Sequence, residues 1–147
     1  EHLVFNDSLG NMGFSIPPNQ KDYRIGMART LKKDTLVLSY WPHAHLRATA
    51  AKYVAYYPDG REELLLDVPT YDQSWQLTYK YKEPKLLPKG TRIEADFWYD
   101  NTAARGARRG FDSNLRVGFG PRTNDEMALA FISYVELDDS QPTNQEN

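Results

Sequence analysis

The sequence predicts an all-β fold, a jelly-roll-like antiparallel β-sandwich of about eight strands. Apolar and polar residues alternate with a period of two along most of the chain, while helical periodicity is nearly absent. Turn signals built on Pro and Gly punctuate the short apolar runs.

The elements follow in order. Residues 23–31, "YRIGMARTL", set Tyr23, Ile25 and Met27 on one face and Arg24 on the other. Residues 34–41, "DTLVLSYW", set Leu36, Leu38 and Tyr40 on one face. The run from His43 to Tyr57 reads as one long strand or as two joined by a bend. "YYPDGREELLL" is a hairpin, because Pro58 pre-sets φ for a turn and Gly60 supplies its left-handed position. "WQLTYKY" follows as a strand, and "LLPKGTRIEADFWY" brings a second Pro-x-Gly turn into the next one. "MALAFISYVEL" is the last strand. Between them, residues 100–125 read as one long irregular stretch with five arginines, Arg105, Arg108, Arg109, Arg116 and Arg122. Such a stretch suits a lid, a docking surface or a solvated mobile loop. Tyr71, Trp75, Trp98 and Tyr99 read mostly as core, with an aromatic platform for sugar rings as the other option.

The 147 residues suit one domain over 1–137, ending in a polar, disordered tail at 138–147. The net charge of −2 gives no general attraction to nucleic acid or anionic membranes. The arginines form no basic stripe that extends into strands, so nucleic acid is not an expected partner. No apolar run approaches the roughly 20 residues of a membrane span. There is no cysteine, which excludes disulfides, thiolate metal sites and a Cys nucleophile and leaves the redox compartment open. The chain opens at Glu1 without an initiator Met or a signal peptide, as expected of a processed form or a piece of a longer protein.

"SYWPHAHLRATA", residues 39–50, holds two of the three histidines. On a strand, residues i and i+2 share a face, about 6–7 Å apart. His43 and His45 then project side by side, with Arg47 and Thr49 continuing the row and Ala44, Leu46 and Ala48 facing the other way. Two imidazoles so placed can converge on one metal ion, or they can be two solvated polar groups on an exposed face. No third ligand is evident nearby, and His2 sits in the N-terminal segment.

Three stretches taken together carry a resemblance. "PHAHLR" at 42–47, the segment 57–103 from "YPDGREELLL" to "ADFWYDNTA", and "TNDEMALAFISY" at 123–134 are similar to the C-terminal domain of the copper type II, ascorbate-dependent monooxygenases. This is the superfamily of peptidylglycine α-hydroxylating monooxygenase and dopamine β-monooxygenase, and the likeness, over roughly residues 14–135, is greatest to its bacterial homologues. The resemblance implies a jelly-roll domain that holds the oxygen-activating copper through His43, His45 and the sulfur of Met127. Two imidazoles and a soft thioether suit Cu(I). It also implies an extracytoplasmic location, periplasmic or secreted.

The departures matter as much. The family's second copper is held by three histidines on another domain, which one spare histidine cannot supply. The expected partners are therefore a second copper domain or another electron donor, with an ascorbate-like reductant. Where the peptide-amidating members place an Arg and a Tyr for the substrate carboxylate, this sequence has Trp41 and Phe131. That leaves an aromatic wall and argues against a peptidylglycine substrate. Arg47 reads either as an anion-binding group or as a surface arginine paired with a cross-strand carboxylate. Asp125 and Glu126 read either as groups that orient an imidazole or as caps of the turn into the last strand. The alternative functions are a copper carrier and a non-catalytic sandwich that binds protein or carbohydrate.

Overall fold

A computed structural model describes residues 3–137; the tail at 138–147 and His2 lie outside the described residues. Two four-stranded antiparallel sheets face each other. One runs β1 (Val4–Gly10), β10 (Leu129–Glu136), β4 (Thr35–His43), β7 (Tyr79–Leu87). The other runs β3 (Tyr23–Thr30), β8 (Arg92–Tyr99), β5 (Ala48–Tyr56), β6 (Glu62–Val68). Successive strands mostly cross from sheet to sheet, which is the jelly-roll winding the sequence predicts. A short pair, β2 (Ser15–Ile16) and β9 (Val117–Gly118), closes one end.

The predicted alternation is clearest in β8, where Ile93, Ala95, Phe97 and Tyr99 are buried. They meet Val37, Tyr40, Ala130 and Ile132 of the opposite sheet in one core cluster. The small Ala51 and Ala55 of β5 flank the buried ring of Tyr53, which lies 5.1 Å from the Tyr40 ring. The Tyr57–Arg61 hairpin closes as expected, with Gly60 at φ 87°.

Five points are added, resolved or corrected. The polar run at 4–10 is a strand, β1, at the edge of its sheet. Of the two readings of the 43–57 run, the structure has the second: β4 ends at His43 and β5 begins at Ala48. Trp75 belongs to a single 3-10 turn, Gln73–Trp75, so the strand expected from 75 starts only at Tyr79. The irregular stretch 100–125 contains a helix, α1 (Ala103–Arg109), begun by Thr102, whose hydroxyl accepts from the Arg105 amide. Gly110, at φ 81°, ends it in the left-handed region.

The fifth point positions the site. Leu36, Leu38 and Tyr40 do not share a face, because β4 carries a bulge. Pairing with β10 steps from Val37–Tyr134 to Ser39–Ser133 and skips Leu38. Thr35 and Val37 are buried before the bulge, Tyr40 and Pro42 after it. The extra residue exchanges the two faces, so Trp41 and His43 leave the core side and reach the outer surface.

Candidate metal centre

The β4–β10 ladder ends on the pair His43–Leu129. The segments running on from that pair carry His45 on one side and Asp125, Glu126 and Met127 on the other. The two imidazole rings approach edge to face, 5.3 Å between centroids and 83° between planes. Two imidazoles bound through one nitrogen each to an ion about 2 Å away have ring centres roughly 5 Å apart. The pair fits a shared ion.

The hydrogen bonds fix which ring nitrogens are engaged. His45 Nδ1 lies 2.9 Å from the carbonyl oxygen of Asp125. A carbonyl only accepts, so Nδ1 is the N–H donor. His43 Nδ1 lies 2.7 Å from Gln76 Oε1. The Gln76 amide nitrogen donates to the Gln73 carbonyl, which turns its oxygen toward the ring. In its neutral form each ring thus carries the proton on Nδ1 and leaves Nε2 as the lone pair, the tautomer that ligating histidines adopt.

Buried polar side chains hold the backbone that bears these rings. Glu126 is fully buried. Its Oε2 accepts from the backbone amides of His45 (2.9 Å) and Met127 (3.3 Å), and its Oε1 from that of Arg47 (2.7 Å). His45 and Met127 are therefore tied to one carboxylate oxygen. The Tyr71 hydroxyl donates to the carbonyl of Ala44 and accepts from its amide, both at 3.0 Å. Tyr99 donates to the Met127 carbonyl at 2.6 Å. Burial pushes the Tyr71 hydroxyl up to about 12 and that of Tyr99 well above the usual tyrosine value. Burial also pushes the Glu126 carboxyl up to about 7, against the downward pull of the Arg47 and His45 amides and the Arg47 guanidinium.

The other predicted residues fall as follows. Trp41, 39% exposed, stacks on Phe131 at 4.8 Å and 21°, beside the His43 ring at 5.8 Å. Trp41 and Phe131, with Asn6, Ser39, Thr78 and Ile132, line a groove of about 260 Å³. The expected wall beside the histidines is there.

Arg47 is neither a surface arginine nor part of a row with the histidines. It is 1% exposed and donates to Asn101 Oδ1 and the Asn124 carbonyl, with its guanidinium 4.0 Å over the Phe111 ring. The chain leaves β4 at His43, so alternation no longer governs where residues 44–47 point. Asp125 orients His45 through its carbonyl, while its carboxylate caps the turn by accepting from the Arg122 amide. Tyr71 and Tyr99 are core as expected, but Trp75 is 72% exposed and Trp98 half-buried, so the four do not form a sugar platform.

Sequence reasoning quoted Gln76 only within a motif and missed Tyr71 and Tyr99 as clamps. It also missed Arg105 and Arg109. Arg105 donates to the Leu46 and Ala48 carbonyls. Arg109 pairs with Asp72 at 2.7 Å, and Asp72 caps the turn that leads into Gln76. Arg109 holds the Asp72 carboxyl at about 2. Part of the arginine-rich stretch thus fastens the loops that bear the histidines.

Gln76→Leu is expected to free the His43 ring and weaken metal binding by roughly 10- to 100-fold with little change in Tm. Competition titration of wild type and variant measures this; equal affinities would show that the hydrogen bond does not prepare the ring.

Among the described residues no group of three or more His, Cys, Asp and Glu side chains is placed to hold a metal ion. Met127, half-buried, lies on the segment that adjoins the pair. Among the described residues no helix is long and apolar enough to cross a membrane. No protein-family model matches the chain, and neither does any curated protein.

Proposed function

We propose that His43, His45 and Met127 hold one copper ion and that the chain is the oxygen-activating half of an ascorbate-dependent copper monooxygenase. One observation carries the reading: both Nδ1 atoms are engaged by acceptors, so two Nε2 lone pairs remain on rings 5.3 Å apart. The donor set of two imidazoles and one thioether favours Cu(I) over harder cations and leaves a coordination position open.

Copper bound there supplies one-electron redox chemistry for hydroxylating a substrate C–H bond. The chain's own residues perform the rest. Gln76 and the Asp125 carbonyl keep both rings in the binding tautomer. Glu126, Tyr71 and Tyr99 fix the backbone, so little reorganisation accompanies metal binding. Trp41 and Phe131 offer an apolar wall beside His43 that suits an uncharged, hydrophobic substrate rather than a peptide carboxylate. A second copper domain or another electron donor completes the electron supply, with an extracytoplasmic setting.

Titrating the metal-free chain with Cu(I) and Cu(II) tests this. One tight Cu(I) per chain is expected, and Met127→Leu should weaken Cu(I) by at least about tenfold while changing Cu(II) much less. Failure to bind either ion stoichiometrically would remove the copper reading and leave a binding module. Equal losses for the two ions would remove the sulfur. Ascorbate-driven oxygen uptake with an added electron donor separates a monooxygenase half from a copper carrier, which binds the ion without turnover.

A further inference from the structure

On the far side of the 122–126 loop from His45 lies a second concavity, about 580 Å³ in volume, between that loop and residues 110–118. Its size is that of a small-molecule site. The side chain at its base is Arg47. The guanidinium is held by uncharged acceptors: Nε on Asn101 Oδ1 at 2.8 Å, Nη1 on the Asn124 carbonyl at 2.9 Å, Nη2 on the Asp112 carbonyl at 3.5 Å. None of these is a carboxylate oxygen. A guanidinium carries five N–H groups, so two remain beyond these three contacts.

Two more arginines line the same cavity. Arg116 makes one hydrogen bond among the described residues, a long one of 3.4 Å to Ser15 Oγ. The Arg122 side chain is exposed, and among the described residues no hydrogen bond or ion pair engages it. Two carboxylates also line the wall, but each is committed to its own turn. Asp112 Oδ1 accepts from the amide and side chain of Asn114. Asp125 Oδ2 accepts from the Arg122 amide and packs on Gly120, where any side chain would collide with it.

Three cations line the cavity beside these two carboxylates, and the guanidinium at the base bonds no carboxylate oxygen, its charge being offset only through space by Glu126, Asp112 and Asp125. Burying a charge in that way is costly, and burial lowers the Arg47 pKa from its ordinary value. An incoming anion offsets the cost.

We propose that this cavity binds a small oxyanion-bearing molecule, a carboxylate or a phosphate, with Arg47 at its base and Arg116 and Arg122 closing on it. Guanidinium forks match both groups through paired N–H···O bonds. The site is separate from the histidine pair: the adjacent carbonyls of Asn124 and Asp125 go to Arg47 and His45 respectively. The proposal therefore stands or falls independently of the copper reading.

The test is an amide NMR titration of the full metal-free chain with inorganic phosphate and, separately, with succinate. Ionic strength is held constant with sodium chloride. Saturable shifts at Gly110, Gly118 and Asn124, with Kd below about 5 mM for at least one of the two, are expected. R116A/R122A should weaken that binding at least about tenfold with little change in Tm, since both side chains are exposed. Saturation by phosphate alone or by succinate alone supports the proposal and identifies the oxyanion. Shifts that rise linearly for both anions, or affinity within about twofold in the double variant, overturn it.

Discussion

Replacing Glu126 by leucine is expected to remove about 4 kcal/mol of stability, lowering Tm by roughly 10–15 °C. Leucine fills a similar volume but offers no acceptor to the amides of His45, Arg47 and Met127. Each buried amide left without a partner costs about 1–3 kcal/mol, and water can reach only part of so enclosed a site. Glu126→Gln keeps one acceptor oxygen and should lose much less.

The two variants also separate hydrogen bonding from charge. The Glu126 carboxyl titrates near 4.5 when unfolded and at about 7 in the fold. Between those values the folded state binds the extra proton. Wild-type stability therefore falls as pH rises from about 4.5 through about 7, by roughly 3 kcal/mol from this group, and is flat above. Glutamine cannot ionise, so Glu126→Gln should lose this part of the slope. Chemical denaturation at pH 4.5, 6 and 8 reads both effects. A wild-type slope of the opposite sign, or a Glu126→Leu variant within about 1 kcal/mol of wild type, would contradict the account.

The second large effect is on metal affinity. His43→Ala should reduce Cu(I) affinity by at least about 1,000-fold, about 4 kcal/mol, because it removes one of the three proposed ligands outright. His43 is half-buried at the end of β4, and the only hydrogen bond its ring makes among the described residues is to Gln76, so Tm should change little. His45→Ala should cost as much affinity, but it is the less clean variant. The residue is 5% exposed and its ring is bonded to the Asp125 carbonyl, so part of the loss will register as lower stability. Affinity measured by competition with a chelator, beside Tm for each variant, distinguishes the two causes.

How much of this was legible in the sequence depends on how local each determinant is. Burial at every second residue is local, which is why β3 and β8 and the Tyr57–Arg61 hairpin read correctly. β1 was missed because "VFNDSLG" is an edge strand whose residues are mostly exposed, leaving no apolar alternation to detect. α1 has no apolar face either. Its signals were Thr102 before it and Gly110 after it, and those capping residues were there to be read.

The bulge at Leu38 had no local mark, since one added residue between two apolar runs looks like continued alternation. Yet that residue decides that Trp41 and His43 face outward. The histidine pair itself was legible from spacing. Its support was not, because Gln76 lies 33 residues from His43 and Glu126 lies 81 from His45. Arg47 illustrates the limit best: strand parity placed it beside the histidines, and the break after His43 instead turned it under the 110–125 segment.

X-ray absorption at the copper edge of the Cu(I)-loaded chain tests the central claim most directly. The account predicts one copper per chain whose first shell holds two imidazole nitrogens and one sulfur. A first shell without imidazole scattering, or one without sulfur, would contradict the assignment to His43, His45 and Met127.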